Sequence, residues 1–126
     1  MEFEAKVASL TDDGYCTVLA FGSDAVDPKQ FAILSITNRP TAHDLELGQA
    51  GIHFELGGSR LSGYDVVKAI DVQNNQLSLN LDARAADANG LDSYLKINVI
   101  ESVIDGKPLA VVVEQFKSRL QGAGSR

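Results

Sequence analysis

Acid–base or nucleophilic chemistry in this chain would fall to very few groups. The imidazoles are His43, beside Asp44, and His53, between Ile52 and Phe54. The carboxylates nearest to them in sequence are Asp44, Glu46, Glu55 and Asp65. Two carboxylates flanking a cleft can act as general acid and base, and a histidine beside a nucleophile can activate it. Neither histidine lies in a helical His-Glu-x-x-His pair, no Gly-x-Ser-x-Gly elbow is present, and the carboxylate spacing demands no cleft. A metal needs three or four convergent ligands, and a single cysteine, Cys16, with two histidines makes no such set. Gly57-Gly58 is followed by neither the lysine-serine pair nor the helix of a phosphate-cradling loop, and reads instead as a two-residue hairpin turn. No catalytic residue, metal ligand or cofactor-binding residue is therefore expected, and the chain reads as a binding protein, not an enzyme. His53, alternating with two apolar residues, is expected on a solvent face. Cys16, inside the apolar stretch Tyr15 to Phe21, is expected to be a small buried hydrophobe.

Charge narrows the choice of partner. Seventeen acidic against 11 basic side chains give a net charge of -6, which opposes broad attraction to phosphate backbones and disfavours direct nucleic-acid binding. Between Leu61 and Asp92 five acids (Asp65, Asp71, Asp82, Asp87, Asp92) face only Lys68 and Arg84, so one flank is expected to be negative. The longest apolar run, Leu109 to Val113, is five residues, against about 20 needed to cross a bilayer. Met1-Glu2-Phe3-Glu4 lacks the basic start of a signal peptide, and the lone cysteine fits a reducing compartment. A cytoplasmic protein without membrane association is expected. With 126 residues, 44% hydrophobic and 22% charged, the chain suits one domain over residues 1–121, followed by a frayed tail at 122–126.

Most elements can be read from periodicity. Phe3, Ala5 and Val7 alternate with charged residues as in a half-buried strand, and the Asp12-Asp13-Gly14 turn leads to a second strand over Tyr15 to Phe21. Phe31 to Thr37 is continuously apolar enough for a central strand, ending before Arg39-Pro40. Asn38 to Gln49 has no clear period and reads as a surface crossing. Gly51 to Leu56 pairs with Ser59 to Tyr64 around Gly57-Gly58, and Val66 to Val72 with Gln76 to Leu81 around Asn74-Asn75. Ala83 to Asn89 reads as a short helical turn stopped by Gly90, and Tyr94 to Ile100 as a strand burying Leu95, Ile97 and Val99. Asp105-Gly106-Lys107-Pro108 reads as a helix start. From there Leu109, Val112, Val113, Phe116 and Leu120 form one helical stripe. The fold class is α+β: an antiparallel, mostly meandering β-sheet of about seven or eight strands with a C-terminal helix packed on one face.

Asp44-Leu45-Glu46-Leu47-Gly48, Ile52-His53-Phe54-Glu55 and Ser62-Gly63-Tyr64 resemble the corresponding stretches of immunity protein family ten, antidotes of bacterial polymorphic toxin systems. Phe3 to Val7, Phe21 to Asp27 and Pro28 to Leu34 are similar as well, so the resemblance spans most of residues 3–100. It implies a protein that binds and neutralises a cognate toxin domain, and an acidic surface suits a basic nuclease as that partner. A small adaptor or secretion chaperone is the alternative, and a small hydrolase or ligand-binding domain a more distant one. Exposed charged and aromatic groups on loops usually carry recognition, so the expected partner surface is Asp44, Glu46, Glu55, Arg60, Tyr64 and Asp65.

Overall fold

Alternating burial sets the path of the chain, and a change in its phase at Lys6 divides the strands between two sheets. The computed structural model describes residues 1–101 and 103–124. Strand β1 (Glu2–Ala5) buries Phe3 and Ala5, whereas β2 (Val7–Asp12) turns Ala8 and Leu10 toward the core and Val7 outward. The expected single strand through Val7 is therefore two strands, because the bend at Lys6 shifts the alternation by one residue.

Strands β2, β3 (Cys16–Gly22), β4 (Phe31–Thr37), β5 (His53–Leu56) and β6 (Ser62–Tyr64) form a five-stranded antiparallel meander in chain order. The second sheet has the order β1-β9-β8-β7, from β7 (Val67–Gln73), β8 (Gln76–Leu81) and β9 (Tyr94–Val99). Its β1·β9 pair is parallel and the other pairs are antiparallel. The strands thus occupy two main sheets where the periodicity pointed to one.

Helix α3 (Leu109–Gly124) lies against β7 and sends Leu109, Val112, Val113 and Phe116 into the same hydrophobic cluster that receives the inner faces of both sheets. Leu120 packs on the cluster's margin. The helix runs through Gly122–Gly124 of the expected tail, and residues 125–126 of that tail lie outside the described residues. Helix α2 (Ala83–Ala88) begins at Asp82, whose carboxylate accepts from the Ala85 amide at 3.0 Å, and ends at Gly90 with φ +67°.

Three local readings change. Asp105-Gly106 does not open a helix: both residues have positive φ (51° and 77°) and turn the ribbon between β10 (Val103–Ile104) and β11 (Lys107–Pro108). Asp-Gly is a favoured pair for such a primed turn. Gly57-Gly58 belongs to a four-residue loop, 57–60, closed by the Leu56 amide donating to Leu61 O at 3.0 Å. The unpatterned crossing contains helix α1 (Ala42–Glu46), started by a reciprocal cap in which the Thr41 amide donates to Asp44 and the Asp44 amide to Thr41 Oγ1.

Candidate functional site: the outer face of the five-stranded sheet

An antiparallel sheet with one face on the core normally turns polar residues to water on the other. The four-stranded sheet follows this rule. Cross-strand rows on its outer face read Glu2, Lys96, Ser78, Asp71 and Glu4, Asn98, Gln76, Gln73. These side chains also satisfy one another: Gln76 Nε2 donates to Asn98 Oδ1 at 2.8 Å, Asn98 Nδ2 donates to Glu2 at 2.6 Å, and the Tyr94 hydroxyl donates to Ser78 at 3.1 Å.

The five-stranded sheet departs from it. Its outer rows read Val7, Gly22, Phe31; then Ser9, Ala20, Ile33, Glu55, Ser62; then Thr11, Val18, Ser35, His53, Tyr64. Val7, Val18, Ala20, Phe31 and Ile33 form a half-buried apolar patch across β2, β3 and β4, with Ser9, Thr11, Ser35, His53 and Glu55 around it. Among them is a shallow depression of about 320 Å³, closed on one side by Asp24 and Pro28 of the β3–β4 loop. Val26 of that loop is 81% exposed. The Phe31 ring lies over Gly57, where a Cβ would overlap three of its carbons, so the absence of a side chain at 57 is what makes room for the ring.

On β5 and β6, His53 and Tyr64 are direct cross-strand partners, and their rings meet edge to face with centroids 5.0 Å apart. His53 stands on the solvent side between buried Ile52 and Phe54, as its alternation implied. Cys16 does not: it is half-buried on the outer face of β3, because Thr17, Leu19 and Phe21 hold the inward positions.

The six residues expected to meet a partner are spread over this sheet and its ends. Glu55 lies on the outer face beside Ile33, and Tyr64 beside His53. Asp44 and Glu46 belong to α1 and Asp65 follows β6, all at the end of the sheet where β5 begins. Asp44 is half-buried and occupied in its helix cap, Glu46 is exposed at 4.0 Å from His43, and Asp65, at φ +66°, is 3.7 Å from Lys68. Arg60 is exposed in the 57–60 loop at the opposite end. The pattern reading missed the apolar residues Val7, Val18, Ala20, Phe31 and Ile33. Phe31 and Ile33 alone left a trace in the sequence, in the unbroken apolar character of Phe31 to Leu34, since a strand apolar on both faces has a second face to cover; the patch as a whole needs the register of three strands.

His43 lies on α1 and His53 opens β5, and among the described residues no three His, Cys, Asp or Glu side chains gather where they could hold a metal ion. No helix among the described residues is long and apolar enough to cross a membrane. What the sheet offers is an apolar surface flanked by polar side chains.

No curated protein matches the chain in a sequence search. A scan against protein families matches residues 4–104 to immunity protein 10. That span begins in β1 and runs through both sheets to β10, so it takes in the whole of the apolar face; the chain belongs to the immunity protein 10 family.

Proposed function

We propose that the chain neutralises a cognate toxin domain in the cytoplasm by binding it through the outer face of the five-stranded sheet, without catalysis, metal or cofactor. The observation that carries this reading is the contrast between the two outer faces. One is polar and internally hydrogen-bonded, and the other carries an apolar patch, as interaction surfaces do. Phe31, Ile33 and Val18 would supply the desolvated centre, while Glu55, His53 and Tyr64 would set orientation at the edge. Asp44, Glu46, Asp65 and Arg60, at the two ends of the sheet, would extend the contact. The net charge of -6 favours a basic partner, a nuclease being one toxin of that kind, because complementary fields speed encounter and oppose wrong partners.

Co-expression tests the reading. Cells producing the toxin domain encoded beside this chain should survive with the wild-type protein and die with Ile33→Lys, which places a cation in the apolar patch. Ser78→Lys, on the outer face of the other sheet, should protect as well as wild type. Equal protection by both variants, with both folded, would rule out the sheet face.

A further inference from the structure

Near the end of β4, on the inner side of the five-stranded sheet, Arg119 of α3 reaches under the sheet. Its Nη1 donates to Thr37 O at 2.7 Å and to Ala50 O at 3.0 Å. These two bonds use both hydrogens of Nη1 and leave Nε and Nη2, the side-on edge of the guanidinium, without a protein acceptor among the described residues. None of the ion pairs among those residues involves Arg119 or Arg39. Arg119 lines a polar pocket of about 490 Å³ together with Thr17, Asn38, Arg39 and Ser118. Asp12 also lines it, but its Oδ1 already accepts from the Gly14 amide and from Asn38 Nδ2, each at 2.8 Å. The Thr17 hydroxyl, the one buried polar side chain among the described residues, donates to Asn38 Oδ1 at 2.6 Å and so holds that amide in place. Burial pushes the Arg119 pKa below its ordinary value, yet a guanidinium remains protonated throughout the physiological range. Two guanidiniums against one engaged carboxylate leave this pocket locally positive on a protein of net charge -6.

We infer that this pocket is a carboxylate-binding site, in which Nε and Nη2 of Arg119 form a two-pronged donor edge and Arg39 adds a second cation. A side-on guanidinium edge presents two parallel N–H groups that match the two oxygens of a carboxylate. Anchoring Nη1 on two backbone carbonyls fixes the plane of the fork before the ligand arrives, which lowers the ordering cost of binding. The site lies on the face of the sheet opposite the apolar surface and stands independently of the reading given for that surface. Its ligand is a free small carboxylate or the side chain of an acidic residue in a bound protein.

An NMR titration of the full chain tests the site, following the Arg119 Nε–H signal and the backbone amides of Thr17 and Asn38. The probes are sodium acetate, a capped Gly-Glu-Gly peptide, its Gly-Gln-Gly counterpart and sodium phosphate, each compared with sodium chloride at equal ionic strength. Saturable shifts with acetate and with the Glu peptide, and none with the Gln peptide, are expected. Saturation by acetate alone assigns the site to free carboxylates, and saturation by both extends it to protein side chains. Arg119→Lys should abolish saturation and Arg39→Gln should weaken it. Shifts no different from those in chloride, or saturation by phosphate only, would overturn the assignment, and the wild-type titration decides this even where Arg119→Lys lowers stability.

Discussion

Replacing Gly57 by alanine puts a methyl group where the Phe31 ring lies, overlapping three of the ring carbons. Gly57 has no left-handed φ, so its backbone accepts alanine and the cost is steric. Overpacking of this kind costs about 1–3 kcal/mol. The lower half of that range is expected here, because Phe31 is half-buried on an open face and its ring can swing aside. The ring should be the whole cause. In a Phe31→Ala background the same substitution meets no ring and should become neutral, or stabilising by about 0.4–1 kcal/mol through loss of unfolded-state freedom. Urea melts of the four proteins in this cycle should therefore give a coupling energy of about 2 kcal/mol, within the range for residues in contact. A coupling below about 0.5 kcal/mol would show that Phe31 does not rest on Gly57. Because the displaced ring belongs to the apolar face, Gly57→Ala should also weaken partner binding more than its loss of stability explains.

Phe116 is fully buried on α3, so Phe116→Ala should destabilise by about 3–5 kcal/mol in a denaturant melt; a loss under about 1 kcal/mol would place the helical stripe outside the core. Asp13 has its pKa lowered by accepting from the Cys16 amide and then the Tyr15 amide. Its support of the β2–β3 turn should therefore be present above the ordinary aspartate pKa and lost as pH falls through the lowered folded-state value, seen as faster hydrogen exchange at Cys16 in acid than in Asp13→Asn at the same pH relative to neutral. Association with a basic toxin domain should slow as salt rises, since the Debye length shrinks to about 8 Å at physiological ionic strength, while dissociation changes less. Stopped-flow mixing at two salt concentrations separates the two rates, and a salt-independent association rate would remove charge steering.

The elements with a clean local rule were legible in the sequence. Leu77, Leu79 and Leu81 alternate and are all buried, Asn74 takes the positive φ of its two-residue turn, and the 3.6-residue stripe of α3 packs as its spacing requires. What was hidden depended on partners distant in the chain. No local pattern says that β1 pairs parallel with β9, more than 90 residues away, or that Lys6 carries the chain from one sheet to the other. Helix α1 escaped because it buries no side chain and so has no apolar period; its only mark is the Thr41-x-x-Asp44 cap. The candidate surface divided in the same way. Glu55 and Tyr64 are of types that mark recognition and lie on the sheet, but the apolar patch is assembled from three strands. It became visible only when the register aligned Val7 with Phe31 and Ala20 with Ile33.

Methyl and amide NMR of the chain on addition of its toxin domain locates the contact directly. Signals of Val7, Val18, Ala20, Ile33, His53 and Tyr64 should shift or broaden together, while those of Gln76, Ser78 and Asn98 on the polar face of the other sheet stay in place. Perturbation confined to the polar face, with the apolar rows unchanged, would contradict the assignment of the five-stranded sheet as the surface that meets the toxin.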